Sequence, residues 1–241
     1  GPILEGQYRQ RFDFGGFDLS ASAGWLDTAA DGGRELRGHI FGEGRFDVSG
    51  VAPGDAARAG FDLALASDKS YLRRYDINDD PRLQTEAFVE NFGARSFYEV
   101  RGYYFQTLRD GEDQEEIPFV VPDFAIRRET DAPLDFGAVG FEAAGVALAR
   151  PEGRDQSRFS ARMDWRADAI LDAGLAVGAF AAARGDFYSY LDDPTFDDGT
   201  EFRFAPLAGV EAFYPLIAHR PGGAAHLLEP GVQFVAAPTN L

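Results

Sequence analysis

The chain has 241 residues, with 23 Lys and Arg against 40 Asp and Glu and no Cys, so its formal net charge is −17. That balance excludes a nucleic-acid binder, which needs a basic footprint. The missing thiols exclude disulfide frameworks, thiolate zinc sites and Cys nucleophiles, and an apolar content of 45% excludes a disordered acidic tail.

Aromatic and glycine content points to strands. There are 22 Phe, 9 Tyr and 28 Gly against a single Met; aromatics suit strands and Gly weakens helices. Period-two alternation then predicts strands in chain order. The first spans Ile3–Phe14. In Phe17–Trp25 the residues Phe17, Leu19, Ala21, Ala23 and Trp25 oppose Asp18, Ser20, Ser22 and Gly24. Leu36–Val48, Ala59–Ser67 and Arg82–Asn91 follow, the last with Leu83, Thr85, Ala87 and Val89 against Arg82, Gln84, Glu86, Phe88 and Glu90. Next come Ala94–Thr107, Ile117–Arg128 and Phe136–Ala149. The strictest case is Arg158–Asp168, where Phe159, Ala161, Met163, Trp165 and Ala167 alternate with Arg158, Ser160, Arg162, Asp164, Arg166 and Asp168. Gly174–Tyr190, Glu201–Tyr214 and Leu227–Ala236 complete about twelve strands, most of them about 9–15 residues long. Ordinary strands average about 5–6 residues, whereas membrane-crossing strands need about 9–11.

Short turns, Phe14-Gly15-Gly16 and Asn91-Phe92-Gly93, contrast with long acidic connections at 27–34, 67–81, 109–116, 151–156, 191–200 and 218–225. The clusters Asp76–Pro81 and Asp192-Asp193-Pro194 carry much of the negative charge. The longest run free of charge and strong polarity, Ala173–Ala183, is too short for a membrane helix, which needs about 20 residues. The chain opens Gly-Pro-Ile without Met, and reads as a fragment or a processed piece.

The alternation has two physical readings. In a soluble sandwich the apolar face meets a second sheet; in an outer-membrane barrel it meets lipid and the polar face lines a lumen. Strand length, loosely packed Ala, Val, Leu and Phe faces, and aromatics near strand ends (Trp25, Tyr71, Tyr75, Tyr103, Tyr104, Phe187, Tyr188, Tyr190, Phe213 and Tyr214) favour lipid. The fold class expected is therefore all-β, an antiparallel transmembrane β-barrel section. Phe159, Met163 and Trp165 are the lipid-facing candidates. Arg158, Arg162, Asp164, Arg166 and Asp168 are the lumenal polar candidates; the plainer reading of that row is a solvated sheet face.

Signals for chemistry are poor. The three His are His39, His219 and His226, and no metalloprotease, nucleophile-elbow, phosphate-loop or dinucleotide motif is present. Asp76–Asp80 superficially suggests a calcium loop, but Pro81 stands where Gly is required and Ala87 where the bidentate Glu belongs. An enzyme is not expected, and neither metal nor cofactor is.

Three stretches resemble the barrel of the lipopolysaccharide-assembly family LptD. The first runs from Leu36-Arg37-Gly38-His39-Ile40-Phe41-Gly42-Glu43-Gly44-Arg45-Phe46 through Gly60-Phe61-Asp62-Leu63 to Ala66-Ser67-Asp68-Lys69-Ser70-Tyr71-Leu72-Arg73-Arg74-Tyr75. The second is Phe105-Gln106-Thr107-Leu108 with Ile117-Pro118 and Val121-Pro122. The third is Leu228-Glu229-Pro230-Gly231-Val232-Gln233-Phe234, and Arg184-x-Asp186-x-Tyr188 supports them. The resemblance implies an outer-membrane translocon that inserts lipopolysaccharide into the outer leaflet. Its implied partners are an LptE-like plug lipoprotein, outer-membrane lipid and, through a periplasmic jellyroll, the bridge proteins that deliver lipopolysaccharide. It implies neither covalent chemistry nor a redox cofactor. On this reading residues 1–241 are one partial barrel domain, without the jellyroll, the terminal strands or the gate between them. The family's barrel has about 26 strands, near the upper end of the known range. The rivals are a porin-like channel and a soluble secreted glycan-binding β-sandwich.

Overall fold

The computed structural model describes residues 2–27, 34–50, 56–133, 136–191, 198–219, 222–223 and 225–238. The expected acidic cluster Asp192-Asp193-Pro194 lies outside them, as do most of the connections predicted at 27–34 and 191–200 and part of 218–225.

Strands dominate: β1 (Ile3–Phe12), β2 (Gly15–Asp27), β3 (Arg34–Asp47), β4 (Ala56–Ala66), β5 (Arg82–Gly93), β6 (Ser96–Thr107), β7 (Phe119–Asp131), β8 (Ala138–Ala149), β9 (Asp155–Ile170), β10 (Ala176–Leu191), β11 (Gly199–Phe213), β12 (Leu216–His219), β13 (Ala225–Leu228) and β14 (Gly231–Ala236). A single helical turn, α1 (Tyr71–Arg74), lies between β4 and β5. The twelve-stranded sheet has the order β1 to β11 followed by β14, and β12 pairs with β13. Every predicted strand has a counterpart. The sequence reading ran Leu227–Ala236 as one strand and missed the β12–β13 pair; Pro230, which cannot donate to a ladder, divides that stretch between β13 and β14.

The chain forms two compact units. The first comprises Gly1–Ala125, Gly145–Arg158 and Ser189–Gly199; the second comprises Ile126–Ala144, Phe159–Tyr188 and Thr200–Leu241. In the first, β1 to β6 pair antiparallel, each with its sequence neighbour. The registers place Phe17, Gly44, Phe61, Ala87 and Gly102 on one transverse row, and Asp18, Glu43, Asp62, Glu86 and Tyr103 on the next. Successive rows point to opposite faces, so the alternation read from single strands becomes two continuous surfaces. Among the described residues of this unit the large buried apolar side chains gather at Tyr71, Leu72, Leu83 and Leu108, at the end of the strands that bears the long loops. In the second unit, Gly137 in the turn before β8 has φ +92°, and a Cβ there would strike the carbonyl of Arg166. Only glycine suits both demands.

Candidate functional site

The polar face of the first unit is a lattice of shared charges. Asp18, Glu43, Asp62 and Glu86 stand directly opposite one another across β2, β3, β4 and β5, an arrangement of like charges that costs stability by itself. Arginines on the same face offset it. Arg9 lies 2.5 Å from Asp18. Arg45 donates to both carboxylate oxygens of Asp62 at 2.8 Å. Arg101 on β6 contacts Glu86, Glu99 at 2.9 Å and Glu90 at 3.2 Å, and Arg58 reaches Glu90 at 2.7 Å. The Phe88 ring lies between two guanidiniums, 5.3 Å from Arg45 and 4.9 Å from Arg101. Gly60, its directly opposed neighbour, makes room: a Cβ there would come within 2.6 Å of that ring. A guanidinium over a ring face favours arginine over lysine.

The β4–β5 connection folds onto this same polar face. Tyr71 and Leu72 of α1 are fully buried with Leu83 and Leu108, against Phe41, Ala64 and Ala66. The Tyr71 hydroxyl is 2.8 Å from Ser22 Oγ, which is 2.7 Å from His39 Nδ1. Tyr71 was expected in an outward aromatic girdle, and the structure corrects this. Tyr75 packs beside it, their rings 5.0 Å apart. Tyr103 and Tyr188 also leave the girdle, because each shares its strand's polar face, opposite Glu86 and beside Asp186 respectively. The signal for the inward loop was available: Phe41, Ala64 and Ala66 are apolar residues at polar-face positions, and Tyr71, Leu72, Tyr75 and Ile77 interrupt an acidic loop. An open cavity of about 400 Å³, lined in part by Asp18, Glu43, Asp62 and Asn78, adjoins this loop.

The long loops of the first unit brace one another. Lys69 donates to the carbonyl of Glu112 at 2.5 Å, Arg150 to that of Glu116 at 3.1 Å, and the Glu152 N–H to that of Glu115 at 3.0 Å. Burial opposes ionisation of Asp68, but the Ser70 hydroxyl and N–H, together with Arg37 and Ser67, outweigh it and hold this carboxyl below its ordinary value. Glu112 accepts from the Thr107 hydroxyl at 2.6 Å, Arg109 at 3.0 Å and Arg82 at 3.2 Å. The Thr107 bond is the largest influence, and with the two arginines it draws Glu112 down from 4.5 to about 2. A depressed carboxyl contributes stability that is present above its unfolded value and is lost as pH falls through its folded value. Protection of the 108–118 loop from protease should therefore hold down to about pH 4.5 and decline toward pH 2. Glu112→Gln should remove most of that pH dependence.

In the second unit, β9 carries the predicted polar row. Arg162 lies 3.3 Å from Asp164, and Arg166 lies 2.9 Å from Asp168. Arg166 also pairs with Glu211 of β11, which accepts from Gln233 of β14 at 2.8 Å. Ser160 bonds to Asp186 of β10, which Arg184 grips at 2.9 Å. Glu211, Asp186 and Gln233 are thus members of this face that the single-strand reading did not include. Arg158 is exposed and belongs to the first unit. The pairs Arg162–Asp164, Arg166–Asp168, Arg184–Asp186 and Arg203–Glu201 repeat one device, in which an Arg reaches a carboxylate two residues away on the same face of its strand. Phe159 and Met163 are exposed on the opposite face of β9. Trp165 shares that face, donates its indole N–H to the Phe136 carbonyl at 2.8 Å and stacks on that ring 5.5 Å away.

The remaining face is apolar and open. Leu4, Tyr8, Trp25, Leu36, Val89 and Val100 are exposed in the first unit, and Phe141, Phe202, Phe204, Val210, Val232 and Phe234 in the second. Water penalises apolar surface on this scale, and lipid does not. No helix among the described residues is long and apolar enough to cross a membrane, and among them no cluster of three or more His, Asp or Glu is placed to hold a metal. Long antiparallel strands paired neighbour to neighbour, with charge on one face and bare apolar side chains on the other, define a section of an outer-membrane β-barrel wall. Residues 37–240 match the family described as LptD, LPS transport system D, and the chain belongs to that family. Its members serve lipopolysaccharide transport and assembly at the outer membrane. No curated protein matches the chain.

Proposed function

We propose that this chain forms part of the wall of the lipopolysaccharide translocon. The polar face lines the passage taken by the saccharide, and the apolar face meets membrane lipid. Arg158, Arg162, Asp164, Arg166 and Asp168 face the saccharide or an LptE-like plug lipoprotein. The twelve-stranded order, set beside a family barrel of about 26 strands, supports a section of a larger barrel. The observation that carries the reading is the division of surfaces: side chains paired through Arg101, Arg166 and their carboxylates on one face, exposed Val100, Met163 and Phe234 on the other.

Depletion of the full-length protein from its host should lower surface lipopolysaccharide. Normal surface lipopolysaccharide after depletion would reject the translocon and leave a porin-like channel as the reading of the same wall. The lipid face has its own test. Phe159→Arg or Met163→Arg should cost about 2–4 kcal/mol near the bilayer midplane, read as loss of the heat-modifiable folded form. Unchanged assembly in both variants would contradict the assignment.

A further inference from the structure

The β12–β13 ribbon is an extension of the β11–β14 hairpin. Phe213 pairs with Gly231 and Leu216 with Leu228, so the ladder resumes in the same register beyond Tyr214-Pro215 and Glu229-Pro230. At the break the Tyr214 N–H still bonds to the Pro230 carbonyl at 3.0 Å, but neither proline donates, which leaves a line of weak pairing across the ribbon. The constant register keeps Leu216 and Leu228 on the face of Val210, Val232 and Phe234, and Ile217 and Leu227 on the face of Glu211 and Gln233. The polar row thus ends at the prolines. Beyond them each face opens with two apolar side chains before His226 on the one and His219 on the other, and Leu216, Ile217, Leu227 and Leu228 are all exposed, by 44, 62, 59 and 65%.

We propose that this ribbon is a membrane anchor, seated in the boundary between headgroups and acyl chains on the side of the β9–β10 turn. The inference rests on the barrel reading given above. The apolar stripe on the lipid face runs from Phe202 to Leu216, which is ~46 Å along the strand at ~3.3 Å per residue. At the usual barrel tilt of ~45° that rises ~33 Å, against a hydrocarbon core of ~30 Å. Leu216 therefore stands at the edge of the hydrocarbon and Ile217 just outside it. No charged residue interrupts the stripe between the wall and the ribbon, so the lipid interface continues onto the ribbon. An isolated two-stranded ribbon has free backbone groups along its edges, which deep hydrocarbon would leave unsatisfied. Headgroups and interfacial water satisfy them, and so set the depth. The proline pair supplies the bend that lets the ribbon lie along the surface.

The test uses the full-length protein, free of other cysteines, in phosphatidylcholine vesicles. A bimane label is attached at Leu228→Cys or, as a wall control, at Phe234→Cys. The anchor predicts that lipids brominated high on the acyl chain quench the label at position 228, and that aqueous iodide quenches it weakly. Strong iodide quenching without bromolipid quenching would place the ribbon in water, and quenching by neither would place it under protein; either result overturns the anchor. Quenching by bromolipid at position 234 alone leaves the barrel reading standing while the anchor falls. Quenching at neither position removes the barrel reading itself.

Discussion

Tyr71→Ala should release the β4–β5 loop from the polar face, with a loss of about 3–5 kcal/mol in the stability of that loop, the range for removing a large buried aromatic. Tyr71 is fully buried and belongs to the one buried apolar cluster among the described residues. The substitution empties the space against Leu72, Leu83 and Leu108 and also breaks the hydroxyl chain through Ser22 to His39. Tyr71→Phe separates the two contributions, because it keeps the ring and loses the hydrogen bond, at about 1 kcal/mol. Limited proteolysis of the full-length protein reads both. Residues 67–81 should become cleavable in the alanine variant and stay largely protected in the phenylalanine variant. Equal resistance of the alanine variant and the wild type would mean that the loop is held by its polar bonds, such as Lys69 to Glu112, and not by this cluster.

Arg101→Ala is the second large effect. Its guanidinium joins Glu86, Glu90 and Glu99 on two strands, and Glu90 is buried. Removal leaves three carboxylates together, of which Glu90 keeps Arg58 and Glu86 keeps the Gln84 amide. Breaking a buried pair from one side costs about 3–5 kcal/mol; with Arg101 about a quarter exposed, about 2–3 kcal/mol is expected here. The double variant Arg101→Ala with Glu86→Ala should recover part of the loss, since it removes one of the stranded charges. Thermal unfolding of the heat-modifiable form, taken around that cycle, gives the coupling between the two residues. Strict additivity would show that the contact contributes nothing to the wall.

The wall was legible because it obeys one local rule. Alternation needs only neighbours in sequence, so strands such as Arg158–Asp168 and Arg82–Asn91 disclosed their two faces without any partner. The partners were not legible. Glu211 and Gln233 meet Arg166 through strands distant in sequence, and nothing in β9 names them. The β4–β5 loop failed for a different reason. Its acidic residues dominate its composition, while four apolar side chains, Tyr71, Leu72, Tyr75 and Ile77, decide where it goes. The apolar breaks at Phe41, Ala64 and Ala66 mark the surface that it covers, yet each looks trivial until the registers put them side by side. The β12–β13 pair was hidden by its prolines, which interrupt the ladder without shifting its register.

The central claim is that the two faces of one strand meet different surroundings, lipopolysaccharide on one side and membrane lipid on the other. Neighbouring residues of β6 test it most directly. A photoreactive amino acid placed at Glu99, and in a second variant at Val100, of the full-length protein in cells would be irradiated during lipopolysaccharide export. Crosslinks to lipopolysaccharide at position 99 and to phospholipid at position 100 are the expected result. Lipopolysaccharide captured at position 100 and absent from position 99, or no lipid of either kind at position 100, would contradict it.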